Sequence, residues 1–252
     1  MSNSLTLVLK DTDPTTTNAI RRTILSEVPT LAIEDVRIIE NSSSLYDEVI
    51  AHRLGLIPIK TDLKLFNFRE KCKCKGKGCP SCTLGLTLDV ESKKEYQTVY
   101  SQDLKSQDPK FKPVEGIPIV RLGKNQKILL EAEAVLGTGK EHTKWQPATA
   151  GYKYYPIIKI NSKCNMCKEC IDTCPVNILK ASKSKITVTD IKQCTLCNSC
   201  VEACDAGAIA VKGDDRKFIF QIESQGALAP KEIFKKACEI LEEKAHTLSG
   251  LL

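Results

Sequence analysis

Twelve of the thirteen cysteines in this 252-residue chain fall into three tight quartets, and no other feature constrains the fold as strongly. Clusters with CxxC spacing, and an odd total, fit poorly with the disulfide framework of a secreted protein. In a chain without secretory features they read as metal sites. The N-terminus, MSNSLTLVLKDTD, has neither the basic start nor the apolar stretch of a signal peptide. No apolar run approaches the roughly 20 residues that span a bilayer. A cytoplasmic location without membrane contact is expected. The content of 42% hydrophobic and 27% charged residues is that of a folded globular chain. The net charge of +6 permits contact with nucleic acid but does not argue for it.

Two of the quartets form an internal repeat with an offset of 30 residues, CNMCKECIDTCPVNIL against CTLCNSCVEACDAGAI. Cys164, Cys167, Cys170 and Cys174 follow C-x2-C-x2-C-x3-C-P, with Pro175 in place. Cys194, Cys197, Cys200 and Cys204 repeat the spacing, with Asp205 where proline stood. This is the bacterial ferredoxin pattern, in which the fourth cysteine of each run ligates the other cluster. One 4Fe-4S cluster is therefore expected on Cys164, Cys167, Cys170 and Cys204, and a second on Cys174, Cys194, Cys197 and Cys200. Two zinc sites or disulfides are the plainer alternative, and the doubled spacing argues against them. If one site is degenerate, it is the one that needs Cys204, which lacks the following proline.

The third quartet, Cys72, Cys74, Cys79 and Cys82, is a C-x-C-x4-C-x2-C knuckle suited to tetrahedral Zn²⁺. Lys71, Lys73, Lys75 and Lys77 would offset the excess thiolate charge, and Gly76 and Gly78 allow a tight turn. A disulfide pair or an empty loop is the alternative. The lysines could form a nucleic-acid patch, but no aromatic residue is interleaved with them to stack on bases.

The rest reads as an α/β framework. Strands are predicted at 4–10, 31–40, 84–90, 96–100, 117–121, 127–136, 154–160 and 217–223. Helices are predicted at 14–28 and 45–57, and at 230–248 with an apolar face of Ile233, Phe234, Ala237, Cys238, Leu241, Ala245 and Leu248. Cys238 lies on that face as a small hydrophobe. The stretch 137–151 has no hydrophobic period and reads as an ordered loop. Its Glu141 and His142 could be taken for an acid/base pair, yet a packed loop is the simpler account. Arg21 and Arg22 emerge beside the apolar stripe of the first helix. No phosphate-binding loop, dinucleotide fingerprint or hydrolase motif is present, so no catalytic constellation exists outside the metal sites.

Residues 18–59, NAIRRTILSEVPTLAIEDVRIIENSSSLYDEVIAHRLGLIPI, closely resemble the hallmark stretch of the RNA polymerase alpha-like family, and GKEHTKW resembles a second signature. The knuckle sits where eukaryotic members bind zinc, and the ferredoxin-like insertion resembles that of archaeal members. The resemblance implies an α+β fold. A discontinuous alpha-like dimerisation domain (1–40, 152–162 and 214–252) would carry two insertions. One is a mostly-β domain with the zinc knuckle (41–151), the other a ferredoxin-like domain with two 4Fe-4S clusters (163–213). It implies a non-catalytic assembly platform of DNA-directed RNA polymerase. The chain would pair with small subunit L through a face including Phe234, Leu241 and Leu248. It would be joined by subunits N and P, and would contact the second-largest subunit through Arg22, with Arg21 beside it. Nucleic acid would be met only indirectly, and the clusters would be mainly structural.

An electron-transfer or redox-sensing protein is the competing class. Soluble ferredoxins dock through acidic surfaces, whereas residues 163–213 carry seven lysines against five acids. No flavin, nicotinamide or pterin site is offered either.

Overall fold

The computed structural model describes residues 3–183 and 185–251. In chain order its elements are β1 (Ser4–Lys10), α1 (Pro14–Ser26), β2 (Thr30–Asn41), α2 (Asp47–Gly55), β3 (Thr83–Glu91), β4 (Tyr96–Tyr100), β5 (Lys105–Ser106), β6 (Pro118–Gly123), β7 (Lys127–Gly137) and β8 (Ala148–Ile160). They continue with α3 (Glu169–Asp172), β9 (Leu179–Ser182), β10 (Lys185–Val188), α4 (Ser199–Glu202), β11 (Ile209–Ser224) and α5 (Pro230–Ser249). The chain is thus mixed α/β, and it divides into two units. One comprises Met1–Leu5, Ala19–Ala150 and Ile222–Leu252; the other comprises Thr6–Asn18 and Gly151–Gln221.

The first unit is organised by β7. Its sequence KILLEAEAVLG alternates strictly in the middle, so Ile128, Leu130, Ala132 and Ala134 are buried while Glu131 and Glu133 face out. A strand with that pattern can be paired on both edges, and β7 lies between β2 and β3 in the order β2-β7-β3-β5. Pairing with β2 is antiparallel from Thr30↔Gly137 to Asn41↔Ile128, with irregularities at Ile33/Asp35 and Ile38/Glu40. Such bulges bend and twist a long strand. Helix α2 adds Ile50 and Leu54 to the same core. Asp47 and Glu48 open that helix and His52 and Arg53 close it, which suits the helix dipole. Arg53 Nη1 then donates to the Ile119 carbonyl at 2.6 Å, tying α2 to β6.

β8 and β11, which belong mostly to the second unit, are longer than their hydrophobic runs suggest. The sequence predicts a strand over 154–160, and β8 begins at Ala148. Alternation is present in the added residues, with Ala148 and Ala150 buried and Thr149 and Gly151 exposed, but alanine methyls carry little hydrophobic signal. The sequence predicts a strand over 217–223, and β11 begins at Ile209. Within the added residues Gly213 lies under Tyr154, where a Cβ would stand 2.7 Å from the tyrosine Cβ. A strand glycine here marks close approach, not a chain reversal. Strands β1, β11 and β8 form a three-stranded sheet in that order, and β9 and β10 form a small antiparallel ribbon.

Leu130 is fully buried at the centre of β7. Leu130→Ala is expected to cost about 2–5 kcal/mol through lost burial and the cavity left behind. A fall in the denaturant midpoint with an unchanged slope checks it. A change below about 0.5 kcal/mol would show that β7 is not the centre of the unit's core.

Candidate metal centres

The knuckle leaves a short 3-10 turn at Arg69–Lys71 and enters β3. Its residues alternate, with Lys71, Lys73, Lys75 and Lys77 exposed and Cys72, Cys74 and the following cysteines turned inward. Lys75, Gly76 and Gly78 have φ of 54°, 80° and 86°, the left-handed region that glycine enters without strain. That lets the chain reverse within a few residues. Backbone bonds from Lys75 N to Cys72 O (3.0 Å) and from Cys82 N to Cys79 O (2.9 Å) fix the two turns. Arg69 Nε donates to the Gly76 carbonyl at 3.1 Å, and its guanidinium stands 3.7 Å from Asp35 on β2.

The result is a sulfur tetrad. Cys72 and Cys79 Sγ are 3.5 Å apart, Cys74 and Cys82 are 3.6 Å apart, and Cys79 and Cys82 are 3.7 Å apart. A disulfide would need about 2.05 Å. One ion holding four sulfurs at about 2.3 Å in a tetrahedron would set them about 3.8 Å apart. The spacing therefore fits a single tetrahedral ion. Charge points the same way. Burial resists ionisation of Cys74, but thiol hydrogen bonds from Cys82, Cys72 and Cys79 outweigh it and bring that thiol down to about 6. The Cys74 backbone N–H favours the thiolate of Cys72, yet its bond to Cys79, burial, and its bonds to Cys74 and Cys82 push it up to about 12. The Cys74 thiolate forms readily and Cys72 then resists. Four together require a cation.

The repeated quartets behave differently. Cys164, Cys167, Cys170 and Cys204 line one small cavity, walled by Ile160, Ile186 and Ile209. Cys174, Cys194, Cys197 and Cys200 line another, walled by Ile158, Ile178 and Val211. Each cavity takes three cysteines from one repeat and the fourth from the other. The backbone repeats as well: Met166 and Lys168 have φ of 62° and 73°, and Leu196 and Asn198, thirty residues on, have 59° and 62°. Single-turn helices α3 and α4 follow and carry Cys170 and Cys200. Asp205 does not disturb the pattern, because Cys204 N still bonds Val201 O at 3.2 Å, as Cys174 N bonds Ile171 O at 3.2 Å. Burial pushes Cys170 up first, then the charges of Cys167, Cys164 and Cys204. Burial likewise pushes Cys200 up, followed by Cys174, Cys194 and Cys197. Among the described residues, only the knuckle gathers three or more ligand atoms within 4.8 Å of one another. The other two quartets are too widely spread for one tetrahedral ion, and their walls are mostly apolar, with Asn165 and Lys168 at the first and Thr195 and Asn198 at the second.

The partner-face residues divide. Arg21 is half-buried and Arg22 exposed on α1. In α5, Ile233 and Ala237 are buried, Phe234 and Leu241 are half-buried, and Leu248 is 61% exposed. The expected apolar face is thus used within the chain over the first turns and open to solvent over the last. Cys238 is half-buried, its thiol pushed up by burial and then by Glu239. Glu141 and His142 pin their loop: Glu141 accepts from Thr138 Oγ1 at 3.0 Å, and His142 Nδ1 from Lys144 N at 3.1 Å. Two anchors escape sequence reasoning. Trp145 is buried, donates to Val135 O at 3.1 Å and accepts through its own carbonyl from Thr30 Oγ1 at 2.8 Å. Lys153 Nζ donates to the Cys194 carbonyl at 3.0 Å. All three bonds join residues that sequence spacing does not relate. Among the described residues no helix is long and apolar enough to cross a membrane.

Comparison with known proteins gives a consistent answer. Residues 6–245 match the RNA polymerase Rpb3/Rpb11 dimerisation domain family. The chain is 44% identical over 247 residues to DNA-directed RNA polymerase subunit Rpo3 of Archaeoglobus fulgidus, covering 97% of the chain and 92% of that protein. It is 45% identical over 248 residues to the Rpo3 subunit of Methanosphaera stadtmanae, covering 96% and 92%. With the Rpo3 subunit of Methanothermobacter thermautotrophicus it shares 48% over 234 residues, covering 91% and 87%.

The tetrad predicts pH-dependent metal retention. Each thiol must lose its proton to ligate, so affinity falls as pH falls. Cys79→Ser should abolish metal retention at the knuckle and raise amide exchange across 69–82 while β7 stays protected. Exchange that is equal with and without metal would show that the loop folds on its own hydrogen bonds.

Proposed function

The chain belongs to the RNA polymerase Rpb3/Rpb11 dimerisation domain family, and on that premise we propose that it is a non-catalytic assembly subunit of a DNA-directed RNA polymerase. The observation that carries this is the end-to-end match: the relatives align over nearly their whole length, so the entire chain does the family's work. The polymerase as a whole transfers nucleotides, and this chain contributes architecture.

The finer assignments follow from that reading. The proposed partner of the dimerisation domain is a small Rpb11-type subunit, L in archaeal terms. Residues 1–40, 152–162 and 214–252 are assigned to that domain, 41–151 to the second domain and 163–213 to the ferredoxin-like insertion. The last turns of α5 support this, since Leu241 is half-buried and Leu248 is exposed. Arg22 on the exposed side of α1 is proposed to reach the second-largest subunit, with Arg21 beside it, and subunits N and P complete the platform. The cytoplasm is the proposed location.

The metal assignments rest on the donor sets. Four thiolates at tetrahedral spacing support Zn²⁺ on Cys72, Cys74, Cys79 and Cys82. Two mostly apolar cavities with crossed cysteine quartets, too wide for one ion, support 4Fe-4S clusters on the sets named above. Bound clusters supply cross-links between the two repeats and a one-electron couple. The chain's own residues supply the walls: Ile178, Leu179, Ile186 and Ile209 make a small core that excludes water but is too slight to hold the segment alone.

Co-expression with an Rpb11-type subunit tests the assembly role. The pair should co-purify as a 1:1 complex, and Leu241→Ala with Leu248→Ala should weaken it at least about tenfold, from roughly 25 cal/mol per Å² of lost apolar burial. Because these side chains are not deeply buried in the chain itself, thermal stability of the isolated subunit should hardly move. Wild-type affinity in the double variant would put the interface elsewhere. Anaerobic protein should hold about eight irons and one zinc, and a zinc-rich, iron-free product would overturn the cluster assignment.

A further inference from the structure

The two proposed clusters share a backbone pattern but not an electrostatic setting. Both quartets contain a thiol that accepts a hydrogen bond: Ala208 N donates to Cys204 Sγ at 3.3 Å in the first, and Ser199 Oγ donates to Cys197 Sγ at 3.4 Å in the second. The carbonyls differ. Lys153 on β8 places its Nζ 3.0 Å from the carbonyl oxygen of Cys194. Thirty residues earlier stands Cys164, and no side chain among the described residues donates to its carbonyl. Lys153 is half-buried and fixed by that bond. Lys168, which lines the first cavity, is exposed, and its charge is screened by water; Asn198 stands at its place in the second repeat.

We infer that Lys153 is a positioning residue for the cluster held by Cys174, Cys194, Cys197 and Cys200, one that holds the Cys194 loop and compensates the charge that an added electron brings to that cluster alone. The inference rests on the proposed cluster assignment. Reduction adds one electron and no proton, so the cluster gains one unit of negative charge. A fixed cation beside a ligand carbonyl favours that reduced form. A lysine that served only to pin a loop would leave the couple unchanged once the loop was folded.

The test is an anaerobic potentiometric titration of the full-length chain with dithionite, followed by electron paramagnetic resonance, with iron counted on the same samples. Lys153→Met should lower one couple and leave the other in place. The oxidised-to-reduced ratio at fixed potential should rise about tenfold, which is about 59 mV for a one-electron couple. The displaced couple should be the one missing from Cys197→Ser. Lys153→Arg keeps the charge and should hold the couple near its wild-type potential, which decides the matter if the methionine variant loads poorly. Two unmoved couples, two couples moved equally, or an arginine variant displaced as far as methionine would overturn the inference while leaving the clusters assigned. Wild-type protein without iron would overturn the cluster assignment itself, and this inference with it.

Discussion

Thiolates repel one another, and this chain crowds twelve cysteines into three small volumes. Most of what distinguishes it from an ordinary α/β protein follows from meeting that repulsion. The tetrad at Cys72, Cys74, Cys79 and Cys82 brings sulfurs to 3.5–3.7 Å, a spacing that neutral thiols tolerate but four thiolates do not without a cation. The surrounding lysines lie on the outside of the turn, where water screens them, so they cannot substitute for an ion at the centre. In the repeated quartets the same problem is met with wider spacing and mostly apolar walls. The fourth cysteine of each repeat crosses to the other cavity, which makes the two halves mutually dependent.

The framework has the opposite character. It is held by burial, with β7 as the strand paired on both sides and Leu130, Leu88 and Leu86 removed from water. Its signature loop is held by a buried indole. Trp145 closes on Val135 and Thr30, and Lys144 reaches the Ile33 carbonyl and Glu34 across the same strand. The scaffold has an extensive apolar core, whereas the cysteine-rich segments have a small one. That framework suits an assembly subunit, whose contribution to the polymerase is architectural.

Local patterns were legible in the sequence and distant ones were not. Ferredoxin spacing prescribes the crossing of Cys174 and Cys204, and the same sets of cysteines line the two cavities. The core of β7 could be read from the alternation of KILLEAEA. The beginning of β8 could not, because its inward residues are Ala148 and Ala150. The beginning of β11 was hidden by GDDR, where Gly213 serves close packing under Tyr154. Helix α5 was evident from its period, but periodicity does not say where along the stripe the chain stops covering itself, between Ala237 and Leu248. The contacts of Trp145 and Lys153 depend on strands brought together by the fold, and no spacing rule reaches them.

The central claim is that this chain is a metal-organised structural subunit of an RNA polymerase. Native mass spectrometry of the polymerase isolated anaerobically through a tag on this chain tests it most directly. The account predicts one copy of the chain in a complex with the large subunits and a small dimerisation partner, carrying the added mass of two 4Fe-4S clusters and one zinc. Recovery of the metal-loaded chain alone, or with a redox enzyme in place of polymerase subunits, would contradict it.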